Sequence, residues 1–317
     1  MIQIDSLPEQ PRIAVVGATG AVGPVTMRLL RERGYSDIRA FASSRSAGTT
    51  IEGIVVEEAT PATLGGGDLD LCFFSIGTEA SAALVPEAVA AGAVCIDKSS
   101  AFRLVEGIPL VVPEVNGERA REHDGIVANP NCSTIPLTMA LAPLHEAAGL
   151  RRVRVATYQS ASGAGTEAME RLRGESPEEH DLRMDWEVEG DELDEESKIR
   201  DETRKILELP DLPISATCVR VPVLVGHAEA VWIETEERLS PDQMEQVLGA
   251  APGVRLEPFP TPRAAARTHH VLVGRIRRDP TVEHGLALFV VCDNLVKGAA
   301  LNAVQIAELV LYERARA

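Results

Sequence analysis

The stretch Arg12-Ile13-Ala14-Val15-Val16-Gly17-Ala18-Thr19-Gly20-Ala21-Val22-Gly23 decides the fold of this chain. It opens with a short apolar run of β type that meets Gly17 at once. Gly17, Gly20 and Gly23 then recur at every third residue, and Val25 to Arg33 carries helical spacing, closed by Gly34. Strand, glycine turn and helix start together make a dinucleotide-binding unit. The glycines let the backbone approach a pyrophosphate, and the helix N-terminus offers N–H groups and the positive end of a dipole. The spacing is GxxGxxG rather than GxGxxG, so a glycine turn that only packs strand on helix is the competing reading.

The next strand, 38–42, runs into Ser43-Ser44-Arg45-Ser46-Ala47-Gly48. An NAD site places Asp or Glu here for the ribose 2′-hydroxyl. Arginine among hydroxyls suits a 2′-phosphate instead and points to NADP; a solvated turn residue is the other reading of Arg45. Segments 69–75, 81–91 and 93–97 read as strand, helix and strand, so a parallel sheet is expected. Ser99-Ser100-Ala101-Phe102-Arg103 leaves the last of these at its carboxyl end, where ligands sit in such sheets. Arg103 is there either an anion ligand or half of a surface ion pair.

In Ala128-Asn129-Pro130-Asn131-Cys132-Ser133-Thr134 a cysteine stands between an amide and two hydroxyls, just before a helical run at 135–148. A helix start stabilises a thiolate, so Cys132 is a candidate nucleophile, with an inert buried thiol as the alternative. Pro136 suits a first turn, whereas Pro143 is expected to kink or shorten the helix. Alternation over 151–160 opens a second domain, and Ser162-Gly163-Ala164-Gly165 makes a tight turn after it. Asp and Glu dominate 174–202, the pattern of a solvated face or mobile insert. Lys198 and Glu202 stand at i, i+4 on a helix and share a face. Strands 216–225 and 229–235 join through Gly226-His227. A short helix at 241–248, a long loop at 255–270, strands at 271–277 and 285–292, and an amphipathic helix at 298–316 complete the chain.

A length of 317 residues fits two domains. Lys and Arg number 31 against 48 Asp and Glu, a net charge of −17, which argues against general nucleic-acid or anionic-membrane binding. No apolar run reaches the ~20 residues of a spanning helix, and the N-terminus lacks a signal-peptide pattern. The five cysteines form no CxxC pair. Neither a metal site nor a disulfide framework is therefore expected, and a cytoplasmic location is.

Several blocks now stand in order: GATGAVG at 17–23, SSRSAG at 43–48, SSAFR at 99–103, PEVN at 113–116 and NPNCST at 129–134. QSASGAG at 159–165, ETRKI at 202–206, SATCVRVPV at 215–223 and DNLVKGAA at 293–300 follow. On these the chain resembles the aspartate-semialdehyde dehydrogenase family, nearly end to end. The resemblance implies an α/β protein: a Rossmann-type parallel-sheet NADP-binding domain at 1–131, then an α+β catalytic and dimerisation domain with a mixed sheet at 132–297. A helix at 298–317 would return to the first domain.

It further implies reversible NADP-dependent reductive dephosphorylation of L-aspartyl-4-phosphate to L-aspartate 4-semialdehyde and phosphate, in lysine, methionine and threonine biosynthesis, by a homodimer. Cys132 would form an acyl-thioester, with His227 as acid/base and Asn131 beside the Cys132 N–H at the oxyanion. Arg220 would grip the α-carboxylate, Glu202 would meet the amine, Gln159 would orient the substrate, and Arg103 and Lys198 would hold phosphate. Gly17, Thr19, Gly20, Ala21, Val22, Ser44, Arg45 and Ser46, with Ser162, Gly163 and Asn294, would contact the cofactor.

Lys98 departs from the family, where asparagine is expected; it either adds positive charge near the phosphate or faces solvent. Segment 174–196 also matches the family poorly. N-acetyl-glutamyl-phosphate reductase shares the chemistry, but its cysteine motif is closer to NPGCY, and an acetylated amine needs no acid such as Glu202. A dead paralogue that binds NADP or only dimerises would be expected to lose Cys132 or His227, which this chain keeps.

Overall fold

A computed structural model describes residues 10–314. The chain divides into two compact units. One ends at Pro130 and resumes at Ala299; the other is Asn131–Gly298.

In the first unit β1 (Ile13–Val16) is buried at all four residues, as a strand covered on both faces must be. After it come α1 (Gly23–Glu32), β2 (Ile38–Ala42), β3 (Thr50–Ile51), β4 (Ile54–Glu58), α2 (Pro61–Leu64) and β5 (Leu71–Phe74). Then follow α3 (Thr78–Ala90), β6 (Val94–Asp97), α4 (Pro113–Asn116) and β7 (Ile126–Ala128). The strands form one sheet in the order β3-β4-β2-β1-β5-β6-β7. Every pairing is parallel except β3 with β4. Chain order reverses at β1, so the crevice at its carboxyl end is where such a sheet takes a ligand.

The glycine turn is shaped for close approach there. Gly17 has φ +87°, and a Cβ on it would lie 2.3 Å from the Ser75 carbonyl oxygen. A Cβ on Gly23 would lie 2.4 Å from the Ala18 oxygen. No side chain caps Val22 at the start of α1, so the first-turn N–H groups are left for an anion.

The ribbon β3–β4 is not expected from the residue pattern. Its turn residues Glu52 and Gly53 both have positive φ (50° and 79°). Such a turn favours Asn or Asp at its first position, and a glutamate there masks it.

The second unit runs α5 (Thr134–Ala148), β8 (Leu150–Gln159), α6 (Thr166–Gly174), β9 (Val188–Glu189), β10 (Glu192–Leu193), α7 (Asp194–Leu207) and β11 (Ile214–Arg220). It continues with β12 (His227–Thr235), α8 (Pro241–Ala250), β13 (Val254–Leu256), α9 (Pro262–Ala265), β14 (Val271–Arg278) and β15 (Gly285–Cys292). Its main sheet has the order β11-β8-β12-β15-β14-β13. It is mixed: β11–β8 and β13–β14 are parallel and the other pairs antiparallel. The region expected as a long loop holds both β13 and α9.

Helix α5 does not stop at Pro143. Proline inside a helix costs about 3 kcal/mol. Here Ile135, Leu137, Met139, Ala140, Leu141 and Leu144 are all buried along the helix, and that packing outweighs the lost hydrogen bond.

The chain closes with a wide π-helical turn, Val296–Ala300, and then α10 (Leu301–Arg314) in the first unit. Asn302 donates to the Val111 carbonyl and the Asn129 side chain, and Glu308 pairs with Arg33. The expected end of this helix at 316 lies outside the described residues.

Candidate active site

Cys132 sits in the turn that enters α5. The Asn131 side-chain oxygen accepts the Ser133 N–H at 2.8 Å, and the Asn131 carbonyl accepts the Ile135 N–H at 3.1 Å. The turn is thereby closed under a half-buried cysteine. Its Sγ lies 3.2 Å from Nε2 of His227, the first residue of β12.

That histidine is almost wholly buried. The Ser160 N–H donates to its Nδ1 at 3.0 Å, so Nδ1 is an acceptor and the ring proton stands on Nε2, facing the sulfur. Burial, and then the nearby Arg220 charge, push its pKa down to about 3. At neutral pH the ring is therefore uncharged and offers the sulfur an N–H.

Two acids of α7 brace this pair. Glu195 Oε1 accepts from Asn131 Nδ2 and from Gln159 Nε2, each at 2.9 Å. Glu202 Oε2 accepts the Asn131 backbone N–H at 2.7 Å. Glu202, expected near a substrate amine, is 1% exposed and gives one carboxylate oxygen to the Asn131 N–H.

Glu195 was not singled out from the sequence, because it looks like its acidic neighbours. The signal was there in the spacing. Glu195, Ile199, Glu202 and Ile206 are the buried stripe of α7, and two acids at i, i+7 on an apolar face differ from a solvated run.

At the other end of the chain Asn294 Oδ1 accepts from the Ser160 and Ser162 hydroxyls and from the Gly226 N–H, at 2.9–3.1 Å. It ties the strand ends that carry Gln159 and His227.

Arg220 ends β11, nearly buried. Its Nη1 donates to the Ser160 carbonyl at 3.2 Å and its Nε to Asp185 at 3.3 Å. The Trp186 ring stands 4.4 Å from its guanidinium carbon. A backbone rung joins Arg183 to Arg220. The acidic segment is therefore not only a solvated face: residues 183–186 cover this arginine.

Gly163 completes the enclosure. A Cβ there would lie 2.9 Å from His227 Nε2 and 3.0 Å from Arg220 Nη1. The bare glycine keeps open the gap between a proton-bearing nitrogen and a guanidinium. Of the α7 lysines, Lys198 is paired with Asp194 four residues before it. Lys205 lies in the field of Glu202, and burial lowers its pKa.

In the first unit Thr19 in the glycine turn reaches Ser46, Oγ1 to Oγ 3.4 Å. Ser44 and Arg45 are exposed beside it, just past β2. Gly20, Ala21 and Val22 form the turn itself. Glycine cradle, uncapped helix start and exposed arginine fit a nicotinamide dinucleotide.

Arg103 is nearly buried. It donates to the Asn129 carbonyl at 3.1 Å and the Lys98 carbonyl at 2.6 Å, so it stands at the carboxyl ends of β6 and β7. The Lys98 side chain does not point out into solvent; its ammonium bonds Ser75 and Thr26. Among the described residues no helix is long and apolar enough to cross a membrane.

Comparison with known proteins agrees with this layout. The model of the semialdehyde dehydrogenase NAD binding domain matches residues 12–123. That of the semialdehyde dehydrogenase dimerisation domain matches 141–189 and 183–297. The chain is 45% identical to an aspartate-semialdehyde dehydrogenase of Streptomyces akiyoshiensis, covering 95% of this chain and 99% of the relative. A crystal structure of aspartate semialdehyde dehydrogenase II from Vibrio cholerae, complexed with ASA, superposes with a TM-score of 0.89 at 39% identity, covering 96% of this chain and 99% of that one. An aspartate semialdehyde dehydrogenase from Candida albicans with NADP superposes at 0.76 and 27% identity, covering 96% and 99%.

Proposed function

The chain belongs to the aspartate-semialdehyde dehydrogenase family, oxidoreductases of amino-acid biosynthesis with a nicotinamide cofactor, and from that we propose that it reduces L-aspartyl-4-phosphate to L-aspartate 4-semialdehyde and phosphate, reversibly, with NADP. The observation that carries the chemistry is the 3.2 Å approach of Cys132 Sγ to a neutral His227 whose proton stands on Nε2.

The Cys132 thiolate, its proton released to solvent, attacks the acyl phosphate carbonyl; the carbon–oxygen bond to phosphate breaks, phosphate leaves and a thioester forms. His227 Nε2–H stabilises the thiolate before attack. It serves the substrate oxygen once negative charge develops there, and it meets the sulfur again when the carbon–sulfur bond breaks. The Cys132 N–H and the Asn131 amide, held by Glu195, supply further donors to that oxygen. The nicotinamide, when bound, supplies the hydride.

Arg220 holds the α-carboxylate beside the Gly163 gap, and Gln159 orients the substrate. Two buried acids, Glu195 and Glu202, favour an ammonium nearby. In the aspartate pathways this step feeds lysine, methionine and threonine. The dimerisation-domain match supports a homodimer.

Phosphate-dependent NADP reduction with aspartate semialdehyde tests the reaction. A purified, folded protein that binds NADPH but shows no such activity would sink it. Cofactor choice is carried by Arg45. Arg45→Ala should weaken NADPH binding by about 10-fold or more and leave NADH nearly unchanged, a charge-assisted contact to the 2′-phosphate being lost; equal losses would remove Arg45 from that role.

For the phosphate we assign Arg103 and a lysine of α7. Lys198 was the expected one, but its ammonium is engaged by Asp194, whereas Lys205 shares the surroundings of Glu202. KM for phosphate should rise about 10-fold in Lys205→Met and stay within about two-fold in Lys198→Met, measured side by side. The reverse pattern would return the role to Lys198.

A further inference from the structure

Lys98 follows β6, and its side chain reaches across the ends of the strands. Its ammonium donates to Ser75 Oγ at 2.7 Å, just past β5, and to Thr26 Oγ1 at 3.2 Å, in the first turn of α1. Thr26 in turn donates to the carbonyl of Val22, where that helix starts. Ser75 is also the residue whose carbonyl leaves room only for a glycine at Gly17. The ammonium thus stands at the crevice where the glycine turn, α1 and β5 meet.

The position is unfavourable for a cation without an anion. The N-terminal end of a helix is its positive end. An ammonium has three N–H donors, and two are used; among the described residues the third has no partner.

The charged groups nearby do not neutralise it. Asp97 lends some support, but its two oxygens are taken by the Ser81 and Ser99 hydroxyls at 2.8 and 2.6 Å. Arg103 is a cation and bonds Lys98's own carbonyl. α1 and the end of β5 present hydroxyls only. Burial accordingly pushes the Lys98 pKa down to about 7, against the pull of Asp97.

We propose that Lys98 is a cofactor-binding residue whose ammonium takes the pyrophosphate of the dinucleotide at the start of α1. This rests on the nicotinamide-dinucleotide reading of the glycine turn. Pyrophosphate is the anion that such a cofactor places at this helix start, and it supplies the charge that the site lacks.

A consequence follows for pH. Bound pyrophosphate raises the lysine pKa, so binding takes up a proton when the free lysine is neutral. Affinity is then greatest below pH 7 and falls above it, by at most about 10-fold per pH unit.

The test is NADPH binding by fluorescence titration from pH 6 to 9, for the wild type, Lys98→Met and Lys98→Asn. 2′-AMP, which carries the 2′-phosphate but no pyrophosphate, is the control probe. In the wild type, Kd for NADPH should rise at least about 5-fold from pH 6.5 to 8.5. Both variants should bind about 10-fold more weakly at pH 6.5 and lose most of the slope, with 2′-AMP unaffected.

Variants that keep the wild-type Kd, or keep its slope, overturn the proposal. So does a defect confined to KM for inorganic phosphate, which would place the ammonium at the substrate's phosphate instead. Two replacements of different polarity guard against one failing to fold. If the wild type binds no NADPH at all, the cofactor reading itself fails. If NADPH binding is sensitive to Arg45→Ala but not to either Lys98 variant, only the role of Lys98 fails.

Discussion

Replacing Cys132 by alanine should lower kcat by about 10⁴-fold or more while leaving the NADPH Kd within about two-fold. The sharper expectation concerns Cys132→Ser. A serine needs a base to take its proton, and the base within reach is His227. Its Nδ1 is occupied as an acceptor by the Ser160 N–H, so its proton stands on Nε2, the atom that faces position 132. A ring nitrogen that already carries a proton has no lone pair for another; the ring could become an imidazolium only through Nδ1, which is held by the Ser160 N–H. Burial and Arg220 both oppose that charge. The serine variant should therefore be as inactive as the alanine variant. Activity in Cys132→Ser above about one per cent of wild type would show that Nε2 accepts a proton, and would make His227 a base rather than a donor.

The second large effect is expected at Arg220. Arg220→Lys should raise KM for aspartate semialdehyde about 100-fold, equivalent to about 2.7 kcal/mol, with NADPH affinity unchanged. The guanidinium spreads its donors over the Ser160 carbonyl, Asp185 and the gap at Gly163, with the Trp186 ring against its face. A lysine ammonium has no plane to stack and cannot serve the Ser160 carbonyl, Asp185 and a substrate carboxylate in the gap at once. Because the charge is kept, His227 should remain neutral and kcat should fall far less than kcat/KM. A KM within about three-fold of wild type would show that the α-carboxylate is held elsewhere.

What could be read from the chain beforehand was local. The run at 13–16, the glycine turn and α1 are neighbours in sequence, and their geometry follows from φ freedom at Gly17 and an uncapped helix start. Alternation likewise revealed β8, because one of its faces packs inward and period-2 patterning records it. What could not be read depends on partners far along the chain. Pro143 was expected to kink or shorten its helix until the burial of its neighbours was visible. Glu195 was one acid among many until it met Asn131 and Gln159, 64 and 36 residues away. Asp185 and Trp186 had no local mark at all, since their role is defined by an arginine on β11. Lys98 stood out as an unusual residue, but only the placement of Ser75 and Thr26 shows which way it turns.

The rung between Arg183 and Arg220 also says how the acidic segment can drift over evolutionary time. Stretches outside residues 183–186 can gain or lose residues, or trade one charge for another, without changing the spacing from the rung to Asp185 and Trp186. The register of the rung has no such latitude. A slip of one residue would carry Asp185 and Trp186 away from the guanidinium and uncover it. Relatives that differ throughout this region can therefore share one spacing, the two residues from the rung to the carboxylate and the three to the ring, and alignment gaps belong on its flanks rather than inside it.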